Sequence, residues 1–413
     1  MKLLFLTPQA PYPPHKGTTI RTYNLLAGLA ERHTIDLLTF GDATVSSPPL
    51  NALCRRIHAL PAPARSVTRR ALTTLFSPWP DMALRLWSPA FAGSLQGWLR
   101  DGDYDVLQVE GVEMARYGLL ARRSPRPRAK RGGMGRARLV FDDHNAEWLL
   151  QKRTYEAERQ LNGWNLGAAY SLIQAWKLRR FERTACRAAD RVIAVSDADA
   201  AAIHQLDPAL PVTVVTNGVD TAHYTFGAVE PAHFEFPALV FSGTMDFRPN
   251  VDAVLWFAER VLPRVRAAAA EAKFIVVGQR PHARLNTLRG RGDVIITGAV
   301  DDVRPYLAGA SVYVVPLRMG GGTRLKVLEA MAMSAPIVST SMGVDGFEVQ
   351  NGREVMIADE PDRFAAEVVH VIGDARKRQA LGVQGRRFVE SSYDWSAIVP
   401  RLEQVYGAIA RRR

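Results

Sequence analysis

Cysteine is nearly absent from this 413-residue chain, which contains only Cys54 and Cys186. The two lie far apart, and neither belongs to a CxxC pair or to a zinc-type spacing, so we expect ordinary thiols in a reducing compartment. Long hydrophobic runs are also lacking, because no apolar stretch reaches the roughly 18 residues of a membrane-spanning helix. The first residues, MKLLFLTPQAPYPP, end in prolines without a small-residue cleavage site, which favours a first buried strand over a signal peptide. The sequence thus predicts a cytoplasmic protein.

Acidic residues are in the minority, since 53 Lys and Arg stand against 41 Asp and Glu and give a net charge of +12. Such an excess suits nucleic acid, anionic lipid or anionic small molecules. Part of it lies in residues 122–138, a basic segment rich in Pro and Gly that has no interleaved aromatic residue and no nucleic-acid-binding signature. We interpret this segment as a solvated loop, with contact to anionic lipid headgroups as the alternative.

Short apolar runs rich in β-branched residues alternate with helix-length segments in both halves of the chain. This pattern is typical of parallel sheets covered on both faces by helices. The predicted strands are KLLFLT, TIDLLTF, DVLQVEG, ARLVFDD, RVIAVS and PVTVVT in the first half, and ALVFSG, KFIVVG, DVIITG, SVYVVP and PIVST in the second. We predict an α/β chain with two Rossmann-like domains, at residues 1–222 and 238–395, joined by a linker at 223–237.

Residues 65–98 interrupt the α/β alternation, and we interpret them as a helical insertion. The insertion contains four large aromatic residues, Phe76, Trp79, Trp87 and Phe91. Aromatic residues of this kind most often belong to a core. A patch that faces a membrane or an acceptor is the alternative interpretation.

A glycine run, Gly320 to Gly322, follows the predicted strand SVYVVP and precedes a helix that we expect to begin near Thr323. The run is not a Walker A loop, because no GK[ST] follows it. It is not a dinucleotide fingerprint either, because Leu325 stands where the third glycine of GxGxxG would fall. Unpaired N–H groups at a helix start, together with the helix dipole, favour an anion there. The run therefore indicates a phosphate-binding site.

Two cations and one carboxylate follow the glycines on the predicted helix. Arg324 and Lys326 can donate charge-assisted hydrogen bonds to phosphate oxygens. Glu329 lies on an otherwise apolar helix and needs a partner, for which ribose hydroxyls are suitable. The structural alternative is a glycine turn in which Glu329 pairs with Lys326 at i, i+3.

The stretch GGGTRLKVLEAMAMSAPIVSTSMGVDG resembles the signature of the large group-1 family of retaining glycosyltransferases, which have the GT-B fold. The resemblance spans nearly the whole chain, through PPHKGTTIRTYNLLAGLAERHTIDLLTF, RVIAVSDAD, VVTNGVD, FSGTMDFRPNVDAV and VIITGAVDDVRPYLAGASVYVVP. Within the family, the chain looks similar to sugar transferases of exopolysaccharide clusters associated with the PEP-CTERM sorting system.

This resemblance implies that the C-terminal domain binds a nucleoside-diphosphate sugar and that the N-terminal domain presents a glycan or lipid-linked acceptor across a cleft. It implies no cofactor and no nucleic-acid partner. A last helix, at 396–413, is expected to pack back on the N-terminal domain. A lipid-linked acceptor would bring peripheral contact with an anionic membrane at its cytoplasmic face, for which the arginines at 411–413 are a further candidate.

Two departures from the family pattern affect the donor site. Glu329 matches the glutamate that holds the ribose, but Gly321 stands where relatives carry a first glutamate that addresses the donor sugar. Thr244 and Pro249 stand where many relatives have an Arg and a Lys that contact the diphosphate. The resemblance therefore leaves the donor sugar unidentified.

Other residues must then supply the positive charge at the diphosphate. We infer that Arg324 and Lys326 do so, together with Arg248. Thr323 and the glycine run would add backbone N–H groups. The resemblance further implies that the backbone lies close to the diphosphate and the base at three positions: Gly243, Gly298 and Val300.

His144 follows the predicted strand ARLVFDD, and in the family a histidine at this place contacts the donor sugar across the cleft. Taken alone, a histidine beside two aspartates is more often a satisfied loop residue. Asp142 and Asp143 are expected either to set the tautomer of His144 or to contact the acceptor. We place Asp143 and Asn145 on the acceptor side.

Gly17 resembles the family's N-domain glycine loop, which lies against donor and acceptor. It also suits a tight turn before a helix capped by Thr18 or Thr19. Arg21, one turn into that helix, is expected to face either the cleft, on the acceptor side, or the solvent.

Two aspartate pairs have the DxD spacing of a metal site: Asp197 with Asp199, and Asp101 with Asp103. Ser196 followed by an acid in the first turn also predicts a helix N-cap. Two Rossmann-like halves do not suit the single-domain metal-dependent fold. We therefore predict no metal.

The predicted function is a metal-independent retaining glycosyltransferase. Negative charge that develops on the departing β-phosphate would be stabilised by Arg324, Lys326 and the helix N-terminus. His144 would position the sugar or support developing positive charge. Two alternatives stay open: a sugar-nucleotide epimerase of the same architecture, and a non-catalytic nucleotide- or glycan-binding relative, which the glycine at position 321 makes conceivable.

Overall fold

The computed structural model describes residues 1–42, 45, 47–123, 137–163, 165–320 and 322–410. Most of the predicted basic loop therefore lies outside the described residues, as do Gly321 and the arginines at 411–413. The chain divides into two compact units. The first unit consists of Met1–Thr216 and Ile398–Arg413, and the second is Asn217–Ala397. The segment that we interpreted as a linker falls within the second unit.

The first unit is built on a sheet whose strands pair in parallel. Its strands are β1 (Lys2–Thr7), β2 (Thr34–Phe40), β3 (Arg56–Leu60), β4 (Val106–Glu110), β5 (Arg138–Asp143), β6 (Arg191–Ala194) and β7 (Val212–Val214), in the spatial order β3-β2-β1-β4-β5-β6-β7. Its helices are α1 (Gly17–Ala30), α2 (Pro48–Leu53), α3 (Val67–Phe76), α4 (Asp81–Arg85), α5 (Pro89–Asp101), α6 (Val112–Arg123), α7 (Glu147–Asn162), α8 (Leu166–Ala188) and α9 (Asp197–His204).

The second unit repeats the parallel α/β plan. Its strands are β8 (Ala238–Ser242), β9 (Lys273–Val277), β10 (Val294–Gly298), β11 (Val312–Val315), β12 (Ile337–Ser339) and β13 (Met356–Ile357), in the order β10-β9-β8-β11-β12-β13. The helices are α10 (Arg248–Trp256), which continues through a π-helical turn (Phe257–Val261) into α11 (Leu262–Ala268), then α12 (Arg304–Ala308), α13 (Leu325–Ala332), α14 (Pro361–Gly373) and α15 (Ala375–Ser392). The last helix, α16 (Trp395–Ala410), starts at the end of this unit and belongs mostly to the first. A 3-10 turn, Ala283–Leu288, precedes β10.

These sheets confirm the predicted α/β class with two Rossmann-like units. The predicted strands form within one or two residues of their expected bounds, because near-continuous apolar runs such as that of β1 are buried by helices on both faces. Two short strands were not predicted, β3 and β13. Both lie at a sheet edge, and β3 carries the half-polar sequence RIHAL, whose alternation hides it from a search for apolar runs.

Residues 65–98 form α3, α4 and most of α5, which confirms a helical insertion. Phe91 is buried, and Trp79 and Trp87 pack against the core of the first unit. Arg116 lies over both indole rings. Phe76 corrects the expectation of a core aromatic, because 81% of it is exposed.

Both cysteines are free and buried. Burial is the main cause that raises the pKa of Cys54 to about 12, and Asp36 adds to the shift. Burial likewise raises the pKa of Cys186 well above its ordinary value. The two thiols are therefore protonated at neutral pH and have no access to solvent reagents.

Helix α16 begins in the second unit and continues in the first. Gly28 of α1 leaves room for it, since a Cβ at this glycine would lie 2.6 Å from a methyl group of Val399. The Tyr406 hydroxyl donates to Gln108 Oε1 at 3.1 Å. Along the described chain, every helix is too short or too polar to cross a lipid bilayer.

Arg21 is one of the largest fully buried side chains of the first unit, with 1% of its surface exposed. Its guanidinium donates to Asp142 Oδ2 through Nε at 3.1 Å and Nη2 at 2.9 Å, and to the Thr216 carbonyl at 3.0 Å. The pair connects α1 to the end of β5 and to the last residue of the unit's first segment. Breaking one partner of a buried ion pair leaves the other charge uncompensated, which makes its loss costly.

We predict that Arg21→Gln lowers the free energy of unfolding of the first unit by about 3–5 kcal/mol, because the buried Asp142 carboxylate loses its cation. Hydrogen exchange of peptides that span β5, followed through a denaturant series, measures this change within the unit. Arg32→Gln is the matched control, since Arg32 is half-exposed in its pair with Glu403 and should lose less than about 1 kcal/mol. Equal losses in the two variants would contradict the prediction.

Candidate functional site

Three neighbouring strands of the second unit end at a glycine in the left-handed φ region: Gly243 at +151°, Gly278 at +159° and Gly298 at +74°. They lie directly after β8, directly after β9 and at the end of β10. The Gly278 N–H donates to the Gly298 carbonyl at 3.1 Å. A Cβ at Gly278 would lie 1.7 Å from the Gly243 carbonyl oxygen. Side chains are thus excluded from this carboxyl edge, where ligands of doubly wound sheets bind.

Lys326 lies beside this edge. Helix α13 begins at Leu325, two residues later than expected, and Lys326 is its second residue. Its Nζ donates to Asn250 Oδ1 at 2.8 Å and lies 4.2 Å from the centroid of the Phe241 ring. A Cβ at Gly243 would lie 2.7 Å from Nζ. The glycine therefore provides the space that the ammonium group occupies.

The charge of Lys326 has no anionic hydrogen-bond partner among the described contacts. Burial is the largest cause that lowers the pKa of Lys326 to about 7, and the nearby Arg324 lowers it further, while Glu329 opposes the shift. An anion that approaches Nζ favours the protonated form and raises this pKa. The site is arranged to receive negative charge.

Glu329 is held by a residue that sequence analysis did not identify. The Tyr224 hydroxyl hydrogen-bonds to its carboxylate. Burial raises the pKa of Glu329, and the Tyr224 hydrogen bond and the charge of Lys326 partly offset this. The alternative of a plain Glu329–Lys326 pair is not what the structure shows, because Lys326 Nζ bonds to Asn250 instead.

Arg324 lies immediately before α13 and is turned into its own loop. Only 7% of it is exposed. Its guanidinium donates to the Gly322 carbonyl and, at 3.4 Å, to the Met342 carbonyl. Burial lowers its pKa. Its contacts brace the glycine loop, in which Gly320 and Gly322 have φ values of +128° and +76°.

The remaining predicted donor residues are more scattered. Thr323 Oγ1 accepts a hydrogen bond from Asn217 at 3.0 Å. Arg248 is exposed at the first position of α10, and Val300 packs against the core. Gly298 lines a cavity of about 370 Å³ together with Thr297, Arg289 and other residues at the end of β10. The structure brings Gly243, Lys326 and Asn250 into direct contact but leaves Arg248 in solvent.

In the first unit, a histidine and a glutamate meet at the carboxyl edge of the sheet. His144 follows β5, and Glu110 is the last residue of the adjacent strand β4. His144 Nε2 and Glu110 Oε2 are 2.7 Å apart. Glu110 is fully buried, whereas 10% of the His144 side chain is exposed. Gly111, with φ at +79°, lies between this pair and Glu113, since a Cβ there would lie 3.0 Å from Glu113 Oε2 and 3.5 Å from His144 Nδ1.

A hydrogen-bonded network supports this pair. Glu110 accepts from Gln108 Nε2 at 2.9 Å and from Thr22 Oγ1 at 3.3 Å. Gln108 in turn accepts from Tyr406. The pair thus connects the central strands to α1 and to the C-terminal helix.

Each member of the pair favours the charged form of the other. Burial alone would raise the pKa of Glu110, but the hydrogen bond and charge of His144 outweigh it, so the pKa is lowered. Burial would lower the pKa of His144, yet the hydrogen bond and charge of Glu110, with help from Asp142, raise it. The pair therefore stabilises the unit in full between about pH 4.5 and about pH 6.5, the ordinary pKa values of the two groups. The contribution is lost as pH rises through the raised pKa of His144 and as pH falls through the lowered pKa of Glu110.

The structure gives Asp143 and Asn145, which we placed on the acceptor side, other surroundings than expected. Glu110, rather than Asp142 or Asp143, bonds His144. Asp143 is fully buried, and neither of its carboxylate oxygens has a hydrogen-bond partner, so it lies away from any surface that an acceptor could reach. Burial, with Glu182 and other nearby carboxylates, raises the pKa of Asp143 well above 3.8. Asn145 donates to Glu147 at 3.4 Å.

Helix α1 begins at Gly17, which is exposed in its first turn. The N-cap residue is Lys16 rather than Thr18 or Thr19, and the Thr19 hydroxyl, at the third helical position, accepts from the Lys16 N–H at 3.0 Å. Arg21 faces neither solvent nor an open surface, because it is buried against Asp142. Both expectations for its exposure are thereby corrected.

One carboxylate–histidine cluster has the residue types of a metal site. Ligand atoms of Glu110, Asp142 and His144 lie within 4.8 Å of one another. Asp142 already neutralises Arg21, and Glu110 already bonds His144, so a dication would have to displace both cations. The residues fit a closed ion-pair network better than a metal. At the DxD sequence, Ser196 caps α9 as predicted by accepting from the Asp199 N–H at 3.1 Å.

Two parallel α/β units, each with polar groups at the carboxyl edge of its sheet, form the architecture of GT-B glycosyltransferases. Residues 15–223 match the family described as Glycosyltransferase Family 4. Residues 236–374 match the family described as Glycosyl transferases group 1. The first match covers half of the chain, and the chain therefore belongs to Glycosyltransferase Family 4.

Curated relatives are similar over parts of their length. An uncharacterized 44.6 kDa protein in the cps region of Klebsiella pneumoniae is 23% identical over 38% of this chain and 42% of its own. A GDP-mannose-dependent phosphatidylinositol monomannoside mannosyltransferase of Mycobacterium tuberculosis is 29% identical over 34% of this chain and 40% of its own. The chain thus spans less than half the length of these relatives. It matches 73% of the alpha-maltose-1-phosphate synthase of Mycolicibacterium smegmatis, at 26% identity over 63% of this chain.

Solved structures share the fold at low identity. Sucrose-phosphate synthase from Thermosynechococcus elongatus has a TM-score of 0.70 at 16% identity, with 99% of each chain covered. Anabaena Alr3699/HepE in complex with UDP has a TM-score of 0.62 at 14% identity, with 99% of this chain and 100% of its own covered. These likenesses show the fold alone.

We predict that Glu110→Gln lowers the pKa of His144, because Asp142 alone then opposes burial and the Arg21 charge. An NMR titration of the histidine side chains measures the shift, and the His144 signal is assigned by its loss in His144→Gln. Glu403→Gln is the matched control, since Glu403 contacts His33 at 2.8 Å in the same unit and should leave His144 unchanged. An unaltered His144 titration in Glu110→Gln would contradict the assignment of an ion pair.

Proposed function

We propose that this chain transfers a sugar, with retention of anomeric configuration, from a nucleoside-diphosphate sugar to a glycan or lipid-linked acceptor. The observation that carries the proposal is the Lys326 ammonium group, which lies at a glycine-lined sheet edge with a lowered pKa and an amide as its hydrogen-bond partner. A diphosphate supplies the negative charge that this group lacks. The family to which the chain belongs supports transfer rather than binding alone.

Lys326 and the N-terminus of α13 act on the leaving group. As the bond between the sugar and the β-phosphate breaks, negative charge grows on the phosphate oxygens. The ammonium group, once protonated, donates to those oxygens, and the first-turn N–H groups add their dipole. Arg324 acts mainly by holding the glycine loop in place, and we propose that no metal is required.

Glu329, positioned by Tyr224, accepts hydrogen bonds from the ribose hydroxyls of the donor. The assignment of His144 to the transferred sugar follows the family resemblance, and its raised pKa, caused by Glu110, favours the protonated form that can donate to sugar hydroxyls. Backbone N–H groups of the loop at 320–322 take the place of the glutamate side chain that relatives use for that sugar.

The pathway is proposed at a coarser level. A relative encoded in the cps region of Klebsiella pneumoniae and a relative that acts on phosphatidylinositol monomannoside support a role in exopolysaccharide or other cell-surface glycan synthesis. An enzyme that acts on such acceptors would lie in the cytoplasm and contact the membrane surface. The donor base is left to the experiment below.

A thermal-shift screen over UDP-, GDP-, ADP- and dTDP-sugars tests the donor class. One nucleotide should stabilise the protein by about 2.7 kcal/mol at a hundredfold excess over its Kd. Lys326→Met and Glu329→Gln should each weaken that binding by about tenfold or more, since each removes charge-assisted hydrogen bonds. Lys377→Met is the control, because the Lys377 ammonium group donates to the Gly352 carbonyl at 2.8 Å. Stabilisation by none of the four would overturn the proposal.

Product analysis with the stabilising donor separates transfer from its alternatives. Sugar transfer to a glycan or lipid-linked acceptor, with the anomeric configuration kept, is the expected result. Conversion of the donor sugar without any acceptor would identify an epimerase instead. Donor binding without turnover, across a panel of acceptors, would identify a binding protein.

Donor affinity should depend on pH through Lys326. Its pKa of about 7 in the free protein rises when diphosphate binds, so binding above pH 7 takes up a proton and weakens by up to about tenfold per pH unit. Calorimetry in two buffers of different ionisation enthalpy measures the proton uptake at pH 8. Lys326→Arg should abolish the uptake, because arginine stays charged. A pH-independent affinity in the wild-type protein would show that Lys326 does not contact the phosphate.

A further inference from the structure

Large apolar side chains are unusually exposed on two helices of the first unit. Phe76 is 81% exposed and Leu166 is 92% exposed. Four further residues of α3 and α8 share this exposure: Leu72, Leu75, Leu172 and Trp176. Isolated exposed hydrophobic residues are common, but a contiguous group indicates an interaction surface.

The two helices that carry these residues lie side by side. Lys177 Nζ of α8 donates to the Thr74 carbonyl of α3 at 2.5 Å. Further toward the start of both helices, the Arg70 side chain hydrogen-bonds to Tyr170. On α3, Leu72, Leu75 and Phe76 follow the i, i+3, i+4 spacing of one helix face. We refer to the exposed faces of α3 and α8 as the α3–α8 surface.

The α3–α8 surface is basic as well as apolar. On α8 the exposed positions Leu172 and Trp176 continue, at helical spacing, into Arg179, Arg180 and Arg183. Arg180 lies over the Trp176 ring at 4.9 Å. The sequence of α3 contains no acidic residue, and the one acidic residue of α8, Glu182, is fully buried. Exposed apolar groups therefore stand beside cations that no carboxylate of these two helices neutralises.

We propose that the α3–α8 surface docks on an anionic lipid bilayer. Leu75, Phe76 and Trp176 enter the headgroup region, where apolar side chains leave water and an indole ring has both apolar and polar neighbours. Arg179 and Arg180 pair with lipid phosphates. A bilayer fits these observations because it offers negative charge and an apolar layer along a plane, which matches two adjacent helix faces. The proposal does not depend on the transferase activity.

Vesicle flotation of the full chain tests the proposal without donor or acceptor. The protein should bind vesicles of 70% phosphatidylcholine and 30% phosphatidylglycerol and should bind phosphatidylcholine alone at least about tenfold more weakly. Arg179→Gln/Arg180→Gln should weaken binding to the anionic vesicles about thirtyfold, at roughly 1 kcal/mol per arginine. Leu75→Ser/Phe76→Ser should weaken it by at least about tenfold through the lost apolar burial.

A matched control comes from α15 of the second unit, where Val383 and Arg387 are also exposed. Val383→Ser/Arg387→Gln makes the same kinds of change and should leave vesicle binding intact. Thermal unfolding of each variant shows that the fold is kept. Equal binding by the α3–α8 variants and the wild-type protein would overturn the proposal.

Trp176 gives a direct readout of insertion. Anionic vesicles should shift the tryptophan emission of the wild-type protein to shorter wavelength, and Trp176→Phe should remove most of that shift. A second copy of the chain is the competing occupant of the surface. Concentration-dependent dimerisation that Leu75→Ser/Phe76→Ser abolishes, together with no binding to anionic vesicles, would assign the surface to self-association and overturn the lipid proposal.

Discussion

The burial of Arg21 against Asp142 is the constraint on which the first unit depends. A guanidinium withdrawn from water must have compensating charge, and Asp142 at the end of β5 provides it. The Thr216 carbonyl, where the chain leaves the unit, takes a further hydrogen bond. The buried guanidinium of Arg21 thereby links α1, the end of β5 and the Thr216 carbonyl to one another.

The same constraint determines the state of His144. Asp142 and Glu110 lie on adjacent strands, and two buried carboxylates would repel each other strongly without cations. Arg21 compensates one and His144 the other, so the surroundings of the imidazole favour its charged form. In the second unit, by contrast, the Lys326 ammonium group bonds to an amide oxygen rather than to a carboxylate. An anionic ligand can therefore supply its compensating charge.

Much of the fold follows from the sequence, because parallel strands buried on both faces must be apolar throughout and are visible as runs. The donor-side residues Lys326 and Glu329 are visible for a related reason, since they are polar residues on an apolar helix. The partners of these residues are not visible. Asn250 meets Lys326 across 76 positions of sequence, and Glu110 meets His144 across 34. Such contacts arise from sheet order, which a local pattern does not encode.

Burial is equally hidden from sequence patterns. Asp143 and His144 are neighbours in a polar stretch, yet the Asp143 carboxyl group is fully buried while 10% of the His144 side chain is exposed. Strand alternation sends successive side chains to opposite sides, and only the packing of α7 and α8 decides which side is closed. Phe76 shows the converse, since an aromatic residue in a helical insertion has the composition of a core but lies in solvent.

The two buried cysteines have a practical consequence for chemistry on this protein. Thiol reagents act on thiolates, and both native thiols are protonated and enclosed at neutral pH. A cysteine introduced at an exposed position would therefore be modified selectively, with no need to remove Cys54 or Cys186 first. A spectroscopic label can then be attached at that one position while both native cysteines stay in place.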